Sequence, residues 1–316
     1  MFINKFKNSG MYKSWRAARK HRQRKDSPAI LMIQTVSMCN AACTCCPYPE
    51  LNRTKAIPHG MMSDELFDRI VDDARHFDLK RVSPYLNNEP FLDPKFASRL
   101  EKLKTAFPRA VLHVSTNGSR LEPELWKLVA NSINKLHISA QGGVTDRTAF
   151  ERNFLKMDYE KYVANVSGFL TMVAKGGYRL RAENIAINNV IDFPSAEALE
   201  KEIAYWKPFG VGINFGGFNS YSGAITIQAR TFSSTSLPVY GCADKDRPIQ
   251  AMHVLFDGAC VLCCNDWTRE VVVGNANERS LSDIWNGEEY RRHVAAIYSG
   301  RTIGNHMCVK CDQAIR

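Results

Sequence analysis

No apolar run among the 316 residues approaches the roughly 18 that a membrane-spanning helix needs. The N-terminus lacks the apolar block of a secretory signal. The expectation is a cytoplasmic protein with no membrane partner. Acidic residues are missing from the first 25 positions, which instead carry nine cations: Lys5, Lys7, Lys13, Arg16, Arg19, Lys20, Arg22, Arg24 and Lys25. The whole chain has a net charge of +10, so everything beyond that segment is close to neutral. Basicity therefore belongs to one stretch and does not form a nucleic-acid footprint over a domain. A solvated basic helix or frayed tail accounts for it, and the functional reading is a docking site for an anionic partner such as a nucleotide-linked substrate. Nucleic acid is not expected, because few aromatic residues interleave the cations to stack on bases. Cysteine is absent from the 195 residues between Cys46 and Cys242. A disulfide scaffold would spread its cysteines through a short secreted chain, whereas two tight groups in a large chain point to metal sites. The sequence also lacks internal repeats and low-complexity tracts.

With 45% hydrophobic residues, the chain can bury a sizeable core. The patterning alternates strand and helix. Strands are expected at Ile30–Val36, Arg81–Leu86, Val111–Ser115, Lys135–Ala140, Arg181–Ile191 and Gly212–Gly217. Helices fall between them at Asp64–His76, Lys95–Thr105, Pro123–Asn131, Tyr159–Lys175 and Ser195–Trp206. Such alternation implies an α/β domain with a parallel sheet and crossover helices. About six units fit, fewer than the eight of a closed barrel. The polar stretch Asn219–Pro238 reads as a boundary, followed by short strands near His253–Phe256 and Val271–Val273 and a helix near Leu281–Ala296. The expected organisation is a basic segment over 1–28, a core domain over 29–222 and a cysteine-rich module over 223–316.

Cys39, Cys43 and Cys46 form a C-x3-C-x2-C loop directly after the first expected strand. Three thiolates can hold three irons of a cubane and leave the fourth iron open, whereas a structural zinc site wants four protein ligands. A zinc loop recruiting Cys45 is the alternative. The spacing resembles that of the radical S-adenosylmethionine (SAM) superfamily, and later strand ends match that family in order. Asn88-Glu89-Pro90 is similar to its Gly-Gly-Glu-Pro turn, which holds the SAM amino group. Ser115-Thr116-Asn117-Gly118 is similar to the next strand end, near the SAM carboxylate and ribose. Ser139 resembles the ribose contact, and Asn189-Val190 the backbone contact to adenine. The resemblance implies a [4Fe–4S] cluster whose open iron binds SAM, and a partial (β/α)6 radical SAM barrel. Two positions depart from the pattern. Asn87 and Asn88 replace glycines, so the turn is expected to use asparagine's tolerance of positive φ. Cys45 stands where an aromatic residue usually packs on adenine, and Tyr48 is the substitute ring.

Cys242, Cys263, Cys308 and Cys311, with Asn265-Asp266-Trp267 and Ile284-Trp285 between them, resemble the auxiliary-cluster module of the same superfamily. Its shortened "twitch" form is expected, because the longer SPASM form carries further cysteines after the position of Cys311. The resemblance implies a small α+β module holding a second [4Fe–4S] cluster, although a four-cysteine zinc site fits the bare spacing too. Cys45, Cys260 and Cys264 are then surplus. Cys260 or Cys264 is the candidate hydrogen-atom donor to a substrate radical, against the plainer reading of each as a small buried residue.

Relatives of this kind include aminocyclitol dehydrogenases, carbohydrate epimerases and peptide-modifying enzymes. The spare thiols favour epimerisation of a sugar or cyclitol, with dehydrogenation as the alternative and peptide modification as a third reading. Only 38 residues precede Cys39, fewer than the leader-peptide-binding domain of many peptide modifiers. Polar strand-end candidates for a carbohydrate are Tyr85, Asn87, Asn117, Gln141 and Asn188. The resemblance also implies a reducing partner such as flavodoxin or ferredoxin. A non-catalytic protein with two clusters would leave the strand-end motifs without a use.

Overall fold

The computed structural model describes residues 9–217, 219–225, 237–304 and 306–316. Lys5, Lys7 and most of the expected boundary stretch lie outside the described residues. The chain divides into two compact units, and the division is not linear. One comprises Ile33–Met62 and Lys80–Phe218; the other comprises Met1–Met32, Ser63–Leu79 and Asn219–Arg316.

The first unit is α/β. Its parallel strands are β3 (Arg81–Ser83), β4 (Val111–Thr116), β5 (Lys135–Ser139), β7 (Ile185–Asn189) and β8 (Gly212–Phe215), hydrogen-bonded in that order. Crossover helices connect them: α4 (Phe96–Ala106), α5 (Pro123–Ser132), α7 (Tyr159–Ala174) and α8 (Ala196–Trp206). A parallel neighbour requires such a crossover, so the helices follow from strand direction. The strands are polar on one face. Leu112, Val114, Leu136, Ile138, Ile185 and Ile187 are buried at alternate positions, while Ser115, His137, Ser139 and Asn188 between them are only half-buried. Side-chain oxygens start two of the helices: Asp158 caps α7 and Ser195 caps α8, each accepting a backbone N–H three residues on.

The fold follows the expected α/β alternation, with three differences in this unit, the first being that the strand expected over Arg81–Leu86 ends at Ser83. The strand expected from Arg181 begins only at Ile185, because Ala182–Asn184 winds into a single 3-10 turn. A short antiparallel pair, β2 (Ala42–Cys43) and β6 (Phe154–Leu155), joins the first cysteine loop to helix α6 (Arg147–Asn153).

The second unit holds α1 (Gly10–His21), most of β1 (Ile30–Ile33), α3 (Asp64–Ala74) and a three-stranded antiparallel ribbon. The ribbon comprises β9 (Ala251–Val254), β10 (Ala259–Val261) and β11 (Val272–Asn275). Helix α3 shows the expected stripe, with Leu66, Phe67, Ile70, Val71 and Ala74 buried. The single helix expected over Leu281–Ala296 is two, α10 (Leu281–Asn286) and α11 (Glu288–Ile297). Gly287 between them is extended (φ −64°, ψ 155°) and ends one helix while starting the other. A Cβ there would lie 2.9 Å from the Asp283 carbonyl, so the break suits glycine. Among the described residues no helix is long and apolar enough to cross a membrane.

Candidate functional site

The first cysteine loop is anchored at several points before it reaches its thiols. Ser37 N–H donates to the Gly60 carbonyl (3.0 Å), and Met62 N–H donates to the Thr35 carbonyl (2.9 Å). Within the loop, Cys43 pairs with Phe154, and Thr44 N–H donates to the Asn153 carbonyl (3.0 Å). Cys46 N–H closes a turn onto the Cys43 carbonyl (3.2 Å). These bonds bring Cys39, Cys43 and Cys46 into one electrostatic neighbourhood, with Tyr48 against Cys39 and Cys46.

All three thiols are pushed up. Burial takes Cys39 to about 11 and Cys46 to about 12, and Glu89 adds to the rise at Cys39. A hydrogen bond with Cys45, then burial, raises Cys43. Among the described residues, no Lys or Arg is among the leading influences on any of them. Three desolvated sulfurs without a cation are costly as thiolates, and a bound metal group offsets that cost. Among the described residues, no three His, Cys, Asp or Glu side chains are gathered tightly enough to hold one metal ion. The donor set suits a larger group that spreads its sulfur ligands.

Glu89 joins the strand ends to this loop. Its N–H donates to the Met38 carbonyl (2.9 Å). Its carboxylate accepts from Thr116 Oγ1 (2.7 Å), Asn117 N–H (2.6 Å) and Phe91 N–H (3.2 Å). Burial raises this carboxyl to about 7 despite those three donors. Pro90, itself buried, starts a 3-10 turn beside it. The turn before Glu89 is not made as expected: neither Asn87 nor Asn88 has positive φ. Instead Asn88 Oδ1 accepts the Leu86 N–H (2.8 Å), so a side-chain acceptor replaces the glycine conformation.

Asn117 reaches toward the cluster loop. Its Nδ2 donates to Asn40 Oδ1 (2.9 Å) and lies 3.7 Å from Cys39 Sγ, while its Oδ1 accepts from Ser119 N–H and Oγ. Gly118 follows at φ +77°, where a Cβ would lie 2.8 Å from the Tyr162 ring. Tyr162 in turn donates to the Ser139 carbonyl (2.8 Å). Asn189 Oδ1 accepts from Gly142 N–H (3.2 Å) and Ile191 N–H (3.0 Å), and Gln141 Oε1 accepts from Val190 N–H (3.1 Å). The SAM-binding candidates Asn88, Glu89, Pro90, Ser115, Asn117, Ser139 and Asn189 thus lie at strand ends or their turns, all within one unit. Two of them carry a telling residue of unsatisfied chemistry. The Nδ2 groups of Asn88 and Asn189 are buried with no partner among the described residues. A buried orphan amide costs about 1–3 kcal/mol, and an acceptor-rich ligand would relieve it. The chain's own residues fit SAM.

The second cysteine group lies in the other unit. Cys242 bridges to Ala314, which brings the 242 segment to the C-terminal segment. The shift at Cys308 has contributions from Cys263, Cys311 and Cys242, so the four sulfurs share one neighbourhood. Donors point at them: Asn265 N–H (3.5 Å) and Arg247 Nη1 (3.7 Å) at Cys263 Sγ, and Gln313 N–H (3.4 Å) and Asn265 Nδ2 (3.8 Å) at Cys311 Sγ. The hydrogen bond with Cys264, aided by Arg247, lowers Cys263 to about 6 against the effect of burial. Burial raises Cys242 to about 12 and also raises Cys308 and Cys311. A four-thiol set, two buried and two half-buried, with N–H donors suits a metal–sulfur group.

The two surplus cysteines differ. Cys260 lies in β10, fully buried, with its thiol toward the Gly258 carbonyl (3.6 Å). Cys264 is half-buried beside the Cys263 sulfur.

The chain carries a radical SAM domain followed by an iron–sulfur cluster-binding domain. Two family models match it: the radical SAM superfamily over residues 33–169, and an iron–sulfur cluster-binding domain (SPASM) over residues 242–312. These domains imply SAM and two [4Fe–4S] clusters as cofactors. A search of curated proteins finds no match. Among solved structures, BtrN in complex with AdoMet and 2-DOIA is 17% identical, covering 91% of this chain and 98% of BtrN, with a TM-score of 0.60. Streptococcus suis SuiB bound to precursor peptide SuiA is 18% identical, covering 95% of this chain and 73% of SuiB, with a TM-score of 0.60. Native anSMEcpe with bound AdoMet is 16% identical, covering 86% and 84% of the two chains, with a TM-score of 0.63. At these identities the likeness establishes the radical SAM fold and no substrate.

Sequence reasoning missed several residues that shape the sites. His113 and His137 lie on adjacent strands with rings 4.4 Å apart, and Tyr85 Oη is 3.3 Å from His113 Nδ1. The signal was present as a repeated His-x-Ser at two consecutive strand ends, His113-Val114-Ser115 and His137-Ile138-Ser139. His306 was also missed. Its Nδ1 accepts the Cys308 N–H (3.1 Å), and its Nε2 faces His293 Nδ1 (3.1 Å). The iron–sulfur module therefore includes a histidine that positions one predicted ligand.

Proposed function

We propose that this radical SAM enzyme acts on a polyhydroxylated small molecule, a sugar or cyclitol, and epimerises one of its carbons with Cys264 as hydrogen donor. The observation that carries the substrate class is the polar face of the parallel sheet. Paired positions on neighbouring parallel strands point the same way. Ser115 is paired with His137, and Ser139 with Asn188, which is paired with Asn214. Asn214 Nδ2 also donates to Asn188 Oδ1 (3.0 Å). This row of hydroxyl, amide and imidazole groups is suited to hydrogen-bonding a ring of hydroxyls. The complex of BtrN with 2-DOIA supports a small-molecule reading; the complex of SuiB with a peptide keeps the peptide reading as a test outcome.

Cys39, Cys43 and Cys46 would hold the first cluster and the strand-end residues would hold SAM, and together these groups would supply a 5′-deoxyadenosyl radical able to take one hydrogen atom from a substrate carbon. Cys264 then breaks its S–H bond and forms the new C–H bond on the opposite face. The resulting thiyl returns to the thiol by taking one electron from a one-electron reductant and one proton from solvent. Cys264 is favoured over Cys260 because the latter sits fully buried in a strand.

The test is turnover of sugar and cyclitol candidates in heavy water. An epimer carrying one solvent deuteron is the expected product, and Cys264→Ala is expected to form 5′-deoxyadenosine but no epimer. Epimerisation by that variant would defeat the donor assignment, and modification of a peptide in place of a sugar would defeat the substrate class.

Dehydrogenation is the second reading, favoured by the histidine pair. His137 would accept the proton of a substrate hydroxyl, with His113 and Tyr85 behind it, while the electron left on carbon goes to a one-electron acceptor. That product is two hydrogens lighter.

A further inference from the structure

Helix α1 has two faces with different tasks. Its inner face is fixed to its own unit. Ala17 is buried, Lys13 Nζ donates to the Arg316 carbonyl (2.8 Å), Lys20 pairs with Asp246 (2.8 Å), and the His21 ring stacks on Tyr298. Its outer face is exposed and carries Met11, Trp15 and Arg19, with exposed Arg22 capping its C-terminal end. The Arg19 guanidinium lies 5.7 Å from the Trp15 ring, so cation and indole form one platform. No acid occurs before Asp26 in this segment.

Between α1 and the segment around residue 242 lies a cavity of about 260 Å³. Lys13, Arg16 and Lys20 line it from the helix, and Tyr240, Cys242 and Asp246 line it from the other side. A predicted ligand of the auxiliary cluster therefore borders a cavity under a basic, tryptophan-bearing helix.

We infer that the outer face of α1 is the docking surface for an acidic one-electron carrier protein, which exchanges electrons with the iron–sulfur module close to Cys242. Charge argues for the occupant. Seven cations between residues 10 and 25 repel one another, and among them only Lys20 has a carboxylate ion-pair partner among the described residues. Such a surface speeds encounter with an acidic partner and loses that advantage in salt. Composition argues for protein: an exposed Trp flanked by Arg is the usual anchor of a protein interface. Placement argues for a redox role, because a nucleic acid would gain nothing from a neighbouring cluster ligand. In each encounter a reduced flavin or iron–sulfur carrier gives up one electron to the protein and is itself oxidised by one, with no bond made or broken.

The experiment uses the full chain with both clusters and purified flavodoxin, an acidic carrier, as the probe. Binding is measured by titration calorimetry at low and moderate salt. Arg19→Glu/Arg22→Glu is expected to weaken flavodoxin binding tenfold or more and to flatten its salt dependence. 5′-Deoxyadenosine formation driven by dithionite should stay within twofold of the parent, while formation driven by flavodoxin falls. A control with the same charge change at exposed positions elsewhere, Lys127→Glu/Lys175→Glu, should bind like the parent. Trp15→Ala gives a second variant with no charge change and is expected to weaken binding at both salt concentrations. Unchanged flavodoxin binding in the α1 variants overturns the inference. So does equal weakening in the control, which would make net charge the only cause. Tighter binding of an RNA oligonucleotide than of flavodoxin, lost in the same α1 variants, overturns it in favour of nucleic acid.

Discussion

Glu89 is a carboxylate held in the interior by three donors, and burial still raises it to about 7 from an ordinary 4.5. The folded chain therefore holds this proton more tightly than the unfolded chain does. The stability that the proton contributes is complete below about pH 4.5 and is lost as pH rises through about 7. At about 1.4 kcal/mol per pKa unit, the effect amounts to about 3 kcal/mol. In cluster-free protein, Glu89→Gln keeps an acceptor and removes the titration. Its unfolding free energy relative to the parent should rise between pH 5 and pH 8; a difference that stays flat across that range would remove Glu89 as the source. Gly118 makes a second residue-scale prediction. Its φ of +77° and the 2.8 Å approach to Tyr162 both oppose a side chain, so Gly118→Ala should lower stability by about 1–3 kcal/mol in thermal unfolding. The thiol spacing and strand-end motifs were legible because each is a local string. Arg247 and His306 were not, since each gains its meaning from a sulfur or a backbone N–H that folding brings near. The Asn87–Asn88 turn misled for a related reason. Sequence shows which residues tolerate positive φ, but not that the Asn88 side chain would cap Leu86 instead.

At the scale of elements, α8 acts on the loop after β5 through one side chain. Glu202 is buried, and its carboxylate accepts from Val144 N–H, Thr145 N–H, Thr145 Oγ1 and Trp206 Nε1, at 2.7–3.0 Å. Truncation orphans several buried donors at once, and each is worth about 1–3 kcal/mol when left unmade. Glu202→Ala should therefore lower the unfolding free energy by about 3 kcal/mol or more. It should also weaken SAM binding, measured by equilibrium dialysis, because the loop continues directly from the Ser139 strand end. Glu202→Gln keeps one acceptor oxygen and should fall between the two. An Ala variant that unfolds like the parent would show the loop to be held by other bonds. The helices and strands themselves were readable wherever period and cap coincided, as in α7 and α8. They were misread where a turn interrupts a continuous apolar pattern. Leu281–Ala296 keeps helical spacing across Gly287, and only the approach to the Asp283 carbonyl reveals the break. Glu202 stayed invisible because an acid in an exposed-looking helix gives no local sign that it caps a loop nearly sixty residues earlier.

Across the whole molecule, the second cysteine group gathers distant stretches of chain: Cys242 after the second unit is re-entered, Cys263 beyond β10, and Cys308 and Cys311 after α11. Where metal ligation closes loops of that length, binding free energy becomes folding free energy. Cys308 is half-buried beside the other sulfurs, and its backbone N–H is held by His306. Cys308→Ser should lower iron from about eight to about four per chain, as expected when one of two four-iron clusters is lost. The first loop lies in the other unit, so 5′-deoxyadenosine formation with dithionite should persist in the variant. Its melting temperature should fall relative to the cluster-loaded parent. The cluster-free forms of parent and variant should unfold together, because there position 308 contributes only a small, half-buried side chain. That comparison separates ligation from packing: a variant that loses iron but melts with the loaded parent would mean that the auxiliary cluster adds no stability to the unit. One that retains all its iron would mean that position 308 is not a ligand.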